Sequence, residues 1–268
     1  MDYNQIVTLV WRAWQTVSSD ITSLDVKHKN PYDFVTAVDI GISNFLKEGL
    51  RKLYPDVGFV TEEEEEHTLS DRAFILDPID GTTNLVYDYR ASSISLAYAE
   101  GGEVTFGVVY NPFLGDMFLG IRGKGSFLYD ASNGIDALLS CGVENYCRNR
   151  LAVSQRPMKL SLIEFGASSS HKDMAEETFA RGMRVFGACL DLRRICSTAL
   201  AICYIAAGRL DGYFEKIIKP WDFAAACLIL KEAGGHSSDW EGNPLPLDRP
   251  GTIICANAVI LDELKKLM

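Results

Sequence analysis

Several things are scarce in this chain. Its seven cysteines, Cys141, Cys147, Cys189, Cys196, Cys203, Cys227 and Cys255, are odd in number and form no C-x-x-C pair. Neither a zinc site nor a disulfide framework is expected, and a reducing cytoplasmic setting is the simpler one. The four histidines, His28, His67, His171 and His236, have no ligand-like spacing, so surface or satisfied roles are expected for them. No apolar run approaches the roughly 20 residues needed to cross a bilayer. The opening M-D-Y-N-Q-I-V-T-L-V lacks the basic start and cleavage-like site of a signal peptide, so no membrane association is expected. Basic residues are also few: 26 Lys and Arg against 36 Asp and Glu leave a net charge of -10. That excludes the basic footprint of a general nucleic-acid binder. It leaves room for an anionic substrate, because a bound divalent cation reverses the local field. No D-x-D-x-D-G stretch with a terminal Glu is present, which argues against a calcium-binding module.

What is present is ordinary globular material, 47% hydrophobic and 23% charged over 268 residues, enough for one large domain or two closely packed halves. Ile6, Val7, Val10, Ala13, Trp14 and Val17 recur at helical spacing, as do Ile42, Phe45, Leu46, Leu50 and Leu53. Val57 to Thr61 reads as a short strand. From Ile94 to Tyr129 the pattern alternates between tight turns at Gly101-Gly102, Asn111-Pro112 and Gly123, which predicts a four-stranded antiparallel meander. The weakly patterned stretch from Asp130 to Arg150 divides residues 1–140 from 141–268, two halves expected to pack as one unit. Beyond it, strands (Leu162–Phe165, Gly212–Glu215, Ile253–Ala256) alternate with helices (Ala175–Met183, Thr198–Ala207, Phe223–Ala233), with a last helix capped by Asn257. That alternation predicts a layered α/β fold.

The chemistry gathers where apolar elements stop. Residues 77–84 read D-P-I-D-G-T-T-N, after Ala73-Phe74-Ile75-Leu76. Pro78 predicts that the strand ends near Asp77. Gly81 permits a tight turn, and Thr82-Thr83 can open a helix whose peptide N–H groups attract an anion. Asp77 and Asp80 can converge across that turn. A lone D-x-x-D would be no more than an acidic turn with a helix cap. Here Glu62 follows a second strand, and Asp39 and Asp222 each stand at a helix start. All-oxygen clusters of this kind suit Mg²⁺ or Mn²⁺ rather than zinc.

With those residues in view, the chain resembles the inositol monophosphatase family, within the lithium-sensitive, Mg²⁺-dependent sugar-phosphatase superfamily. D-P-I-D-G-T-T-N at 77–84 carries the resemblance, with W-D-F-A-A-A-C-L-I-L-K-E-A-G-G at 221–235. D-F-V-T-A-V-D at 33–39, F-V-T-E-E at 59–63 and A-A-G-R-L-D-G-Y-F-E at 206–215 support it, in the family's order and over almost the whole chain.

The resemblance implies alternating helix and sheet layers, with an antiparallel N-terminal sheet and a mixed C-terminal one. It implies that Glu62, Asp77 and the Ile79 carbonyl hold a first Mg²⁺, that Asp77, Asp80 and Asp222 hold a second, and that Glu62 helps a third through water. Asp39 and Thr82 would activate the attacking water, and the Gly81 and Thr82 amides would take the phosphate. Ala167, Ser197, Thr198 and Glu215 align with substrate-ring contacts. One of these positions and one neighbour depart from the usual pattern: Ala167 stands where the family often has serine, with Ser168 as a nearby hydroxyl, and Cys196 stands where glycine is usual. Lys27 or Lys29 matches a loop lysine, and Glu63 the family's second glutamate. Glu64, Glu65 and Glu66 read as a solvated loop.

The expected activity is Mg²⁺-dependent hydrolysis of myo-inositol monophosphate or a similar small polyol phosphate by a homodimer. Fructose-1,6-bisphosphatase, 3′-phosphoadenosine 5′-phosphate phosphatase and histidinol-phosphate phosphatase activities are alternatives on the same scaffold. An interaction protein on a phosphatase fold, binding RNA or a transcription complex, is the alternative from another class.

Overall fold

The computed structural model describes residues 1–20, 24–30, 33–62, 69–167 and 170–268. Glu63 to Glu66, His67 and Ser168 lie outside the described residues. The chain opens with helix α1 (Tyr3–Asp20), a small antiparallel pair, β1 (Lys27–Asn30) and β2 (Asp33–Val35), and helix α2 (Ala37–Leu53). A six-stranded sheet follows, in spatial order β3 (Gly58–Thr61), β4 (Arg72–Asp80), β5 (Ser93–Glu100), β6 (Glu103–Asn111), β7 (Asp116–Ile121) and β8 (Gly125–Asp130). The short helix α3 (Thr82–Val86) interrupts it after β4, and α4 (Asp136–Cys141) follows it. The C-terminal part carries β9 (Leu162–Phe165), α5 (Ala175–Phe186), β10 (Asp191–Arg193), α6 (Thr198–Ala206), β11 (Gly212–Ile218), α7 (Pro220–Glu232), β12 (His236–Ser238), β13 (Gly251–Ala256) and α8 (Leu261–Lys266). Its five strands lie in the order β10-β9-β11-β13-β12, parallel among the first three and antiparallel beyond.

The period of two along the strands sets the layers. On β4, Phe74 and Leu76 face one way, into a core shared with Ile6, Val10, Ile42 and Leu46 of α1 and α2. Ile75 faces the other way, with Ala97, Val109 and Phe118, onto α6 and α7. Tyr213 and Cys255 close that second core from the C-terminal sheet. Phe214 and Ile254, next along the same strands, point outward to Val185 of α5 and Leu264 of α8. The result is helix, sheet, helix, sheet, helix. Helix α7 is apolar nearly all round because it lies between two sheets. Its small residues meet glycines of the first sheet: a Cβ on Gly107 would stand 2.7 Å from the Ala225 carbonyl oxygen.

Two expectations are corrected. The N-terminal sheet is mixed rather than antiparallel, because β3 runs parallel to β4 at its edge. Strand β4 also continues through Pro78 to Asp80 instead of stopping near Asp77. Pairing with β3 ends at Thr61 and Leu76, so the missing N–H of Pro78 costs no bond to that strand. Against β5, Asp77 pairs with Ser95 and Asp80 with Ser93, so β4 carries one extra residue in a bulge. That bulge turns the Asp77–Asp80 segment out of the regular ladder.

Candidate active site

Beyond the bulge, Gly81 takes a left-handed conformation (φ 87°) that a residue with a Cβ adopts only with strain, and it caps α3. This corner forms one wall of a cleft of about 580 Å³. Glu62, Asp77, Ile79, Asp80, Gly81, Thr82, Ala167, Cys196, Ser197, Thr198, Glu215 and Asp222 all line it. These residues from six separate stretches of sequence therefore meet in one place, whereas Asp39 is not part of the lining and reaches it through Thr82. Lys27 is exposed on β1, and His171, exposed as expected, also lines the cleft.

Each acid is fixed by a different local device. Asp39 sits in the first turn of α2, where its Oδ2 accepts the Thr36 backbone N–H (2.9 Å) and the Thr36 hydroxyl, a reciprocal capping box. Its Oδ1 accepts the Thr82 hydroxyl at 2.9 Å, from 43 residues away. Thr82 Oγ1 also lies 3.1 Å from the Ile79 carbonyl oxygen. Asp77 is buried, and its Oδ1 accepts the Ile79 N–H at 3.0 Å. Asp222, in the first turn of α7, accepts the Lys219 N–H at 3.0 Å. Asp80 reaches across to the start of α6, accepting the Ser197 hydroxyl and the N–H groups of Thr198 (3.1 Å) and Ala199 (2.9 Å). The positive ends of these helices favour carboxylates at their first turns.

The charge is nonetheless concentrated. Burial pushes the Asp77 carboxyl well above its ordinary range, and Glu62, Asp80, Asp222 and Asp39 push it further. Burial and Glu62 do the same to Asp222. Burial raises Asp80 to about 6 against the pull of its Ser197 and α6 hydrogen bonds. Glu215 is raised to about 7, again by burial, and accepts the Tyr213 hydroxyl. Among the described residues, no group of three or more His, Cys, Asp or Glu side chains is placed so that it could hold a metal ion together. The carboxylate oxygens are spread round the cleft, held by N–H and hydroxyl donors. Hard oxygen donors that repel one another in a buried cleft suit a divalent cation, which would remove the repulsion.

On the substrate side, the Ser197 hydroxyl and the Thr198 amide donate to Asp80, itself on the cleft wall, and the Thr198 hydroxyl pairs with Tyr213 at 2.9 Å. Gly166 has no room for a side chain, since its Cβ would stand 2.2 Å from the Glu215 carboxyl carbon. Ala167 contributes its carbonyl oxygen to Arg194 at 3.1 Å. Cys196 lies in the left-handed region (φ 60°), the conformation glycine would take without strain. We expect Cys196→Gly to change unfolding free energy by less than about 1 kcal/mol, because relieved strain offsets the freer unfolded chain. Its effect should instead fall on the shape of the cleft beside Ser197 and Thr198, which those residues line. A large loss of stability would contradict this reading.

Sequence reasoning missed Glu164 and Asn84. Glu164 lines the cleft from β9. Its signal was available: an acid between Ile163 and Phe165 in a strand otherwise apolar. Asn84 ends the D-P-I-D-G-T-T-N motif and reaches the carbonyl oxygens of Ala91 (2.8 Å) and Ile195 (2.7 Å).

The inositol monophosphatase family matches the chain over residues 2–267. The inositol-1-monophosphatase of Rhizobium meliloti is 33% identical over 270 residues, covering 99% of this chain and 95% of the relative. The Nus factor SuhB of Pasteurella multocida is 34% identical over 241 residues, covering 89% and 84%. Among solved structures, the Thermotoga maritima IMPase superposes with a TM-score of 0.81 at 30% identity, covering 97% of this chain and 94% of that one.

Proposed function

Since the chain belongs to the inositol monophosphatase family and is a phosphatase, we propose that it hydrolyses myo-inositol monophosphate or a closely similar polyol phosphate with Mg²⁺. The observation that carries this reading is the Thr82–Asp39 hydrogen bond at 2.9 Å, beside the Gly81 turn and the carboxylates of β4.

Glu62, Asp77 and the Ile79 carbonyl would hold one Mg²⁺, and Asp77, Asp80 and Asp222 a second, with Glu62 assisting a third through water. Bound there, the metal supplies positive charge to the phosphoryl and leaving oxygens and makes a water more acidic. The chain's own groups do the rest. Thr82 donates a hydrogen bond to Asp39 and keeps a lone pair to orient a water; as that water attacks, its proton would pass to Thr82 Oγ1 while the Thr82 hydroxyl proton passes to Asp39. The Gly81 and Thr82 amides at the start of α3 would hold the phosphate oxygens. Glu215, with Tyr213 bonded behind it, would hold a ring hydroxyl.

Phosphate release with Mg²⁺ from inositol 1-phosphate, fructose 1,6-bisphosphate, histidinol phosphate and the adenosine bisphosphate tests the reading. Preference for any of the last three would replace the substrate. A second reading, an interaction role, is favoured by the relatives that carry the name Nus factor SuhB. It would be supported by no phosphate release from any of these with or without Mg²⁺.

Metal binding should also show in stability. The folded carboxyls of Asp77, Asp80 and Asp222 are raised above their unfolded values. Such groups contribute stability below the unfolded pKa that is lost as pH rises through the folded one. Metal-free protein should therefore melt lower at about pH 8 than at about pH 5.5, and millimolar Mg²⁺ should restore more at the higher pH, where the ligands are ionised. A Mg²⁺ effect that is flat with pH would contradict the assigned ligands.

A homodimer completes the reading. Helix α5 and its exit leave Phe179, Met183, Phe186 and Leu190 exposed along one side, and a second copy would cover them. Met183→Asp should shift sedimentation from dimer to monomer; a wild-type protein that sediments as a monomer would refute this arrangement.

A further inference from the structure

The loop that enters α6 carries Cys196, Ser197 and Thr198 into the cleft; Asp80 holds it beyond the strained turn at Cys196, but nothing in those bonds holds it before that turn. Ile195, one residue earlier, does. Its peptide N–H is accepted by Glu164 Oε1 at 2.8 Å. Its carbonyl oxygen is held by Asn84 Nδ2 at 2.7 Å, and the same amide reaches the Cys196 carbonyl at 3.4 Å. Both ends of one residue's hydrogen bonding are thus taken by side chains from distant elements. Asn84 belongs to the phosphate-side helix α3, and Glu164 to strand β9, two residues from the Gly166 that abuts Glu215.

Glu164 is a costly choice for this place. It is 1% exposed, and Oε2 accepts no hydrogen bond among the described residues. Leaving a buried polar oxygen without a partner is destabilising, and an apolar side chain at the position would avoid it. What the acid provides in return is the grip on Ile195. Just beyond that grip, Cys196 turns at φ 60° and Ser197 meets Asp80.

We propose that Glu164, together with Asn84, is a positioning residue that latches Ile195 and so fixes the Cys196–Thr198 loop in register with the phosphate turn, setting recognition of the polyol ring. The ring-recognition part rests on the polyol phosphate reading above. The latch requires an acceptor at Oε1, not a charge. Burial raises the Glu164 carboxyl to about 7, against the pull of the Ile195 N–H, so its neutral form is well populated near neutrality. Glutamine should therefore serve, whereas methionine, of similar length, should not.

The test compares Glu164→Gln and Glu164→Met on two probes, myo-inositol 1-phosphate and 4-nitrophenyl phosphate, the second lacking a polyol ring. In Glu164→Met, KM for inositol 1-phosphate should rise roughly tenfold while kcat/KM for 4-nitrophenyl phosphate stays within about twofold. Glu164→Gln should resemble wild type on both. Equal losses on both probes, no change in Glu164→Met, or a Gln variant as impaired as Met would each overturn the proposal. Amide hydrogen exchange supplies a readout independent of substrate. Faster exchange confined to residues 194–198 in Glu164→Met supports the latch, and unchanged or global acceleration overturns it. If wild type releases phosphate from 4-nitrophenyl phosphate but not from inositol 1-phosphate, the substrate reading alone falls, and the exchange result decides the latch.

Discussion

Asp77→Asn should abolish phosphate release without unfolding the protein. The side chain is buried at the bulge, and four other carboxylates press on it. In the proposed arrangement it serves both metals, so its loss removes charge from each. A fall in kcat/KM of about a thousandfold or more, equivalent to roughly 4 kcal/mol of transition-state stabilisation, is expected. Asparagine keeps an oxygen at the position that accepts the Ile79 N–H, so the local turn should survive. It also removes a buried charge whose folded pKa is raised. The variant should accordingly melt at or above wild type at about pH 8 without metal, and gain less from Mg²⁺. Turnover near wild type, or a collapse in melting temperature equal to the loss of activity, would sink the assignment.

Thr82→Ala should be the next most damaging change. The hydroxyl joins the first turn of α3 to the first turn of α2 through Asp39, and in the proposed mechanism it orients the water and relays that water's proton to Asp39. Loss of such a general-base relay is worth about 10²–10⁴ in kcat. KM should change little, because the amides proposed to hold phosphate remain. Asp39 itself stays anchored by Thr36, so the stability cost should be about 1 kcal/mol, that of one hydrogen bond. Thr82→Ser, which retains the hydroxyl, should recover most of the rate. Equal damage from Ser and Ala would point to packing of the methyl group rather than to the hydroxyl.

These two predictions draw on different amounts of sequence information. The acids at the ends of apolar elements, the helical repeats in α1 and α2 and the meander β5–β8 were all legible. Each depends on neighbours within a few residues: alternation sets which side of a strand is buried, and a first-turn acid complements its own helix. The course of β4 past Pro78 was not legible, because it depended on where β3 stops. The same holds for the bond from Ser197 to Asp80, 117 residues away, which no local pattern foretells.

What the sequence by itself determined is the inventory: which carboxylates stand at chain turns, which helices have a buried stripe, and the family to which the motifs point. What only the tertiary structure decided is who meets whom. The stacking of five layers brought Asp39 onto Thr82, Asp80 onto the start of α6, and Glu164 and Asn84 onto the two ends of Ile195. Hydrogen bonds of that range form only after apolar faces have packed, since the burial that drives packing is non-directional and says nothing in advance about which polar atoms will come within 3 Å of one another.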